Sequence, residues 1–469
     1  MTSEQILMLR KSFSDYLQDF RRCFSNRSTF EHLKGYGRGL LSDLPRKSVE
    51  PIALAGGCAV RTLQEFLTHH KWDQNLMRDQ IQRRVVRDHL PAPDVPWRLS
   101  DGIGVVGRVD ETSVAKKGDK TPGVQRQHCG ASGKHDNCIV TVHLDVGYGA
   151  TFRTLLDSEL YLPEKTWHDN RDRCRAAHIP DHVVYRPKWQ IALEQVRRAL
   201  GNGVRFDWLT FDEGYGMYPQ FLYELDALGQ MYVAEVPPNF RCWPSYPAYN
   251  SPQAPFVAKE VRNAVVWGKP FKGKPFKRFT LTRQTTTPQV WEAKAAQVWL
   301  QKDGRYTEHT CRPTDRTYWL IIARNVHSGE IKYFVSNAPP KAKLKTLLKV
   351  AFCRWGIEHV FRVAKSEIGF DHFEGRSYLG LMRHMILCQL VMLFIAGQTI
   401  ELREKKRMPG VDDGTDGSGI EPDLPSMARE TMWPSTRGND RSNHQVPSTK
   451  KRRGTPSKTD VGTEVRVAL

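Results

Sequence analysis

The sequence contains no Cys-x-x-Cys pair, no internal repeat and no apolar run long enough to cross a membrane. Its nine cysteines are scattered singly from Cys23 to Cys388. An odd number of isolated thiols argues against a disulfide framework and against a tetrahedral zinc site, and for a reducing compartment. The one local cluster, Cys129 and Cys138 with His128 and His135, has a spacing that matches no standard zinc pattern. The longest apolar stretch, Met385 to Gly397, falls short of the roughly 18 to 20 residues a spanning helix needs. The first residues, Met1-Thr2-Ser3-Glu4-Gln5, lack the basic start and apolar block of a secretory leader. A membrane protein and a secreted one are therefore both unexpected, and a cytoplasmic location is the expectation.

What is present is positive charge. The 469 residues carry 70 Lys+Arg against 51 Asp+Glu, a net +19, with 39% hydrophobic residues. The excess is unevenly placed: +5 over residues 1–100, −2 over 101–254, +8 over 255–312, +6 over 313–400 and +2 over 401–469. Most of it falls on segments expected to fold, and a basic folded surface is suited to a polyanion such as nucleic acid.

Five segments are distinguishable. Residues 1–98 read as helical, with apolar residues at helical spacing from Ser3 to Cys23 and from Val60 to His89, closed by Pro91-Ala92-Pro93 and Pro96. Residues 99–237 alternate strand and helix. Gly104 to Val109 is a β-type run ending at Asp110, and Cys138 to Val146 and Thr151 to Leu162 are expected as antiparallel neighbours. Trp189 to Leu200 reads as an amphipathic helix, Phe206 to Phe211 as a strand ending at Asp212, Phe221 to Leu228 as a helix and Met231 to Val236 as a strand. Residues 238–340 are β-type, basic and rich in Pro, Lys and Trp. Residues 341–400 are strongly helical. Residues 401–469, dominated by Gly, Ser, Thr, Pro and mixed charge, are expected to be a disordered tail.

Three acidic positions concentrate the chemistry. Val109-Asp110-Glu111-Thr112 and Phe211-Asp212-Glu213-Gly214 place a carboxylate at the end of a buried strand, where it is fixed yet faces the sheet rim. Taken alone, each also fits a strand-terminating turn residue. In Arg354-Trp355-Gly356-Ile357-Glu358-His359-Val360-Phe361-Arg362-Val363-Ala364-Lys365, helical spacing sets Arg354, Glu358, Phe361 and Lys365 on one face. A solvated Arg–Glu pair is the plain alternative, but Phe361 and the apolar run from Met382 to Ile395 suggest that this face is partly covered. Three separated carboxylates suit two Mg²⁺ ions, which take oxygen ligands and complete their shells with water and substrate phosphate. Arg354 and Lys365 would suit phosphate contacts.

The sequence resembles the DDE transposases of bacterial insertion sequences, in particular the insertion-sequence-701 family, over about residues 40–400. The resemblance runs in order through Arg46-Lys47-Ser48-Val49-Glu50-Pro51-Ile52, Leu63-Gln64-Glu65-Phe66-Leu67, Asp110-Glu111-Thr112, Lys116-Lys117-Gly118 and Gly123-Val124-Gln125-Arg126-Gln127. It continues through Leu160-Tyr161-Leu162-Pro163, Arg171 to Ala177, Asp212-Glu213-Gly214-Tyr215-Gly216 and Arg354-Trp355-Gly356-Ile357-Glu358. It implies an α/β fold: a ribonuclease H-like catalytic core in two parts (99–237 and 341–400), interrupted by a β-rich insertion domain at 238–340, after an all-helical N-terminal DNA-binding region. It implies Asp110, Asp212 and Glu358 as the catalytic and metal-binding triad, with Mg²⁺ as cofactor and Mn²⁺ as a substitute. The implied partners are double-stranded DNA, both element ends and target, and a second copy of the chain. Related transposases carry a Tyr-x-x-Arg-x-x-x-Glu-x6-Lys signature; Ala351 stands here at the Tyr position.

Candidate DNA contacts are Arg354, Lys365, Lys116, Lys117, Arg126, Lys272, Lys274, Lys277 and Arg278. The last four interleave with Trp267, Phe271 and Phe276, whose rings can either stack on an unpaired base or form domain core. Two other readings remain at this level: an inactive DNA-binding descendant of a transposase, and a ribonuclease H-like nuclease without strand transfer.

Overall fold

The N-terminal region forms helices because polar side chains cap apolar stripes. Asn26 accepts from the Thr29 amide to open one helix and Asp73 from the Leu76 amide to open another. The computed structural model describes residues 3–92, 102–149, 152–247, 258–267, 270–281, 289–302 and 313–407. Five helices come first: α1 (Ser3–Gln18), α2 (Arg27–Leu41), α3 (Val49–Ala55), α4 (Val60–Thr68) and α5 (Gln74–His89). The spacing from Val60 to His89 suggests one continuous helix, but α4 and α5 are separate. Between them Trp72 stacks on Phe24 and Phe66, and its indole donates to the Phe66 carbonyl at 3.0 Å. α2 and α3 lie between the two stretches whose spacing predicts helix.

The central sheet follows. Its strands are β1 (Val105–Ala115), β2 (Gln125–Cys129), β3 (Lys134–Tyr148) and β4 (Phe152–Leu160). After α6 (Arg171–Ala176) and α7 (Lys188–Gly201) come β5 (Trp208–Phe211), α8 (Glu213–Gly216), α9 (Pro219–Ala227) and β6 (Tyr232–Val236). β1 pairs antiparallel with β3 and β3 with β4, while β1–β5 and β5–β6 are parallel. β1 does not end at Asp110: its pairing with β3 carries it on to Ala115, past the point where β5 stops. β2, which the residue pattern does not foreshadow, closes a hairpin onto β3 and turns Cys129 and Cys138 inward while His128 and His135 stay exposed.

The β-rich stretch continues the same sheet. After β7 (Arg241–Cys242) and β8 (Lys259–Glu260), which pair with each other, come β9 (Lys277–Leu281), β10 (Gln289–Gln301), β11 (Pro313–Asn325) and β12 (Ile331–Ser336). The order β2–β3–β1–β5–β6–β12–β11–β10–β9 makes one mixed sheet, with β4 on β3. Trp267 and Phe271 are buried in the core, and Phe276 lies under the charged ends of Lys294 and Arg324. Stacking of the first two rings on a base is therefore corrected to a packing role.

Helices cover both faces of the sheet. α10 (Leu344–Cys353) buries Leu347, Leu348, Val350 and Ala351 against Val106, Trp208, Val233 and Phe334 of the sheet. Ala351, the residue at the signature Tyr position, thus sits in apolar core. α11 (Gly356–Val363) follows after a two-residue turn.

α12 (Tyr378–Arg407) then packs on α2, α4, α5 and β4. By length and composition its stretch Tyr378–Arg403 is able to span a membrane, yet 78% of its most apolar window is buried inside the protein. The apolar run Met385 to Gly397 is only the middle of this core helix. α12 also runs to Arg407, into the stretch expected to be a disordered tail; residues 408–469 lie outside the described residues.

Polar groups on α12 fix this packing. Arg383 is buried and donates to the carbonyls of Phe66, Leu67 and His70 at 3.0–3.3 Å and of Trp72 at 2.9 Å, with its guanidinium over the Trp72 ring. A cation is thereby set where the C-terminal carbonyls of α4 concentrate negative potential.

Candidate active site

The parallel register brings three carboxylates to one level of the sheet. Val109 pairs with Phe211 and Phe211 with Ala234. The next residues, Asp110, Asp212 and Glu235, therefore stand side by side across β1, the end of β5 and β6, on the face that α10 covers. The backbone holds the two aspartates: Asp110 Oδ1 accepts from the Glu111 amide at 2.8 Å, and Asp212 Oδ1 accepts from the Gly214 amide at 3.0 Å as the cap of α8.

Glu358 reaches this group through Arg354, which follows α10. The Arg354 Nη1 lies 3.2 Å from Asp110 Oδ2 and 3.8 Å from Glu358 Oε1, and its Nε lies 3.9 Å from Glu235 Oε2. The side chains of Arg354 and Asp110 are 13% exposed, against 45% for Glu358. The guanidinium thus occupies the space between the acids. Among the described residues no three of His, Cys, Asp and Glu form a ready metal cage.

The electrostatics are those of a site short of positive charge. Burial, reinforced by Asp212 and only partly offset by Arg354, pushes the Asp110 carboxyl up to about 8. The Asp212 carboxyl is raised as well, by burial and by Glu111 and Glu235 against the opposing Arg354. Buried oxygen donors that repel one another have the right chemistry for a hard divalent cation, which would lower both values.

The other basic candidates divide into two groups. Lys365 and Lys116 are half-buried; Lys365 Nζ donates to the Ser113 carbonyl at 3.0 Å and Lys116 Nζ to the Phe373 carbonyl. Burial lowers both ammonium groups from their usual range. Lys117, Arg126, Lys272, Lys274, Lys277 and Arg278 are exposed. Arg278 pairs with Glu292 at 3.1 Å, and Lys274 Nζ lies 3.4 Å from the Ala295 carbonyl. His359 bonds to Arg362 at 2.7 Å on the surface of α11.

Sequence reasoning missed Glu235 and the role of Glu111. Glu235 also pairs with Lys332, and Glu111 with Lys188. The available signal for Glu235 was a lone acid near the end of an otherwise apolar strand, Tyr232-Val233-Ala234-Glu235-Val236.

The family described as DDE superfamily endonuclease matches residues 19–313. That is well over half of the chain, and the chain belongs to this family. The match includes Asp110 and Asp212 and ends before Glu358. The chain is also similar to the "Probable transposase for insertion sequence element IS701" of Microchaete diplosiphon, at 30% identity over 232 residues, 49% of this chain and 54% of that protein. The chain thus spans about half the length of the curated relative it matches. Among solved structures, a piggyBac transposase synaptic complex with hairpin DNA matches 88% of this chain and 79% of its own, at 9% identity and a TM-score of 0.36.

Proposed function

We propose that the chain is a DNA transposase that cuts at the ends of its element with divalent cations and joins the freed ends to target DNA. The observation that carries this reading is the alignment of Asp110 and Asp212 on neighbouring parallel strands, with Glu358 tied to them by Arg354. The order β4–β3–β1–β5–β6, with two antiparallel and two parallel pairings, is the sheet of a ribonuclease H-like core, and β7–β12 are its basic insertion.

Asp110, Asp212 and Glu358 are the groups that would hold the cations, Mg²⁺ with Mn²⁺ as a substitute. Once bound, such ions activate the attacking water or hydroxyl and stabilise the leaving oxygen. Arg354 has to give up its place between the acids, and Glu235 keeps it close, where its planar fork suits a strand phosphate. Hydrolysis at the element end frees a 3′-hydroxyl, which then attacks a phosphodiester of the target. The exposed Lys117, Arg126, Lys272, Lys274, Lys277 and Arg278 hold backbone phosphates, the N-terminal helices contribute to end binding, and two copies of the chain bring two ends together.

The test is cleavage of a labelled duplex carrying the element's terminal repeat. Asp110→Ala, Asp212→Ala and Glu358→Ala should each abolish cutting while leaving duplex affinity largely intact; a variant that cuts near the wild-type rate removes that residue from the triad. Glu111, Glu213 and Glu367 serve as neighbouring controls. The second reading, a DNA-binding descendant without activity, is favoured only by the guanidinium lodged between the acids. Wild-type protein that binds ends but cuts with neither Mg²⁺ nor Mn²⁺ would establish it.

A further inference from the structure

Two residues before Asp110 on the same face of β1 lies a buried ion pair that has no part in the proposed cleavage chemistry. Arg108 is 3% exposed and Asp145, opposite it on β3, is fully buried; Arg108 Nε donates to Asp145 Oδ1 at 2.7 Å. The guanidinium is wedged between two glycines. A methyl on Gly147 would come within 2.7 Å of Arg108 Nη2. A methyl on Gly356, the first residue of α11, would run into Nη1 and come within 3.0 Å of Cζ. Only glycine lets the start of α11 approach this plate so closely.

The other end of α11 has its own seat. The Phe361 ring meets the buried His143 imidazole edge to face at 5.0 Å. His143, opposite Asp110 on β3, is held by Thr141 Oγ1 and Ser158 Oγ, each at 2.7 Å. Glu358 lies between these two contacts, on a helix whose height above the sheet is set by Arg108 at one end and His143 at the other.

We propose that Arg108, held by Asp145, is a positioning residue that sets where Glu358 stands relative to Asp110. β1 then supplies one acid directly and places another through the contact between Arg108 and Gly356. A bare ion pair would be a weak reason to bury two charges, since an apolar pair of similar volume is commonly as stable; a rigid planar spacer between strand and helix is something an apolar pair does not replace. The inference rests on the reading of Glu358 as part of the active site.

The test compares wild type, Gly356→Ala, the pair Arg108→Met/Asp145→Leu, and all three substitutions together. Single-turnover cleavage at saturating duplex is followed across a Mg²⁺ titration, and Mn²⁺ binding to the full chain without DNA is followed by electron paramagnetic resonance. Gly356→Ala should cut on the order of 10²-fold more slowly, with unchanged duplex affinity, a higher Mg²⁺ midpoint and weaker Mn²⁺ binding. On the Met/Leu background the added methyl should cost nothing further, because a flexible Met yields where the guanidinium cannot.

Wild-type rate and cation affinity in Gly356→Ala would overturn the proposal. So would a rate loss that follows only the folded fraction at an unchanged Mg²⁺ midpoint, or an equal loss on both backgrounds. If Gly356→Ala does not fold, Gly147→Ala presses the same guanidinium from the β3 side and carries the same expectations. Wild-type protein that binds but never cuts defeats the functional reading and this inference with it. Wild type that cuts beside an unaffected Gly356→Ala defeats this inference alone.

Discussion

Asp110→Asn should make the metal-free protein more stable while removing its activity. Burial and the Asp212 charge lift the Asp110 carboxyl from 3.8 to about 8. Between those two values the folded chain holds a proton that the unfolded chain has released. The group therefore costs stability that is absent below pH 4 and grows as pH rises towards 8. At pH 7.5 the span above 3.8 corresponds to an upper bound of about 5 kcal/mol, at roughly 1.4 kcal/mol per pH unit. An amide is neutral at every pH and keeps the acceptor for the Glu111 amide, but it still has to be desolvated. A gain of about 2 kcal/mol is the reasonable expectation, which corresponds to a few degrees in melting temperature.

The assay is differential scanning calorimetry in EDTA at pH 4.5, 6 and 7.5. The variant should show no advantage at pH 4.5 and should gain on the wild type progressively as pH rises. Mg²⁺ should then raise the wild-type melting temperature more than that of the variant, since a ligand stabilises the state that binds it. Equal melting temperatures at all three pH values would refute the picture of a carboxylate held against its neighbours.

The remaining predictions concern other parts of the molecule. Arg383→Met should destabilise the chain by about 3 kcal/mol or more, because it takes the guanidinium donor from the Leu67, His70 and Trp72 carbonyls and leaves Phe66 only the Trp72 indole; an unchanged denaturation midpoint would count against that role. Burial depresses His143 to about 3 and His384 to about 4. Their stabilising effect is present in full above pH 6.5 and is lost as pH falls towards 4. Chemical denaturation at pH 7 and pH 4.5 should show the loss, and it should shrink in a His384→Gln variant. Reversing Lys272, Lys274, Lys277 and Arg278 to Glu should flatten the salt dependence of end binding by up to about 0.9 log unit for each phosphate no longer neutralised; an unchanged slope would remove this surface from the DNA interface.

Local chemistry made much of this architecture readable. Helical spacing marks α1, α7 and α9, and apolar runs that meet an Asp mark strands next to the sheet rim. The errors came where a partner far along the chain decides the outcome. Val60 to His89 has the spacing of one helix, and it is broken because Trp72 and Arg383 take the carbonyls that would continue it. β1 passes Asp110 because β3 pairs with it along its whole length. The aromatics of the basic stretch read equally well as a base-stacking surface or as core, and burial of Trp267 and Phe271 made them core.

The sequence by itself determined the residue types and the places they occupy: two aspartates that follow apolar β-type runs, a helix bearing Arg354 and Glu358, and positive charge kept away from the acidic segment. Periodicity and spacing act over a few residues, so these features are written locally. Only the tertiary structure decided that Asp110, Asp212 and Glu235 share one level, that Arg354 stands among them, and that Arg108 reaches Gly356. Each of those relations depends on the register between strands, and on the height of a helix above a sheet. Both are settled by side chains far apart along the chain competing for the same buried volume.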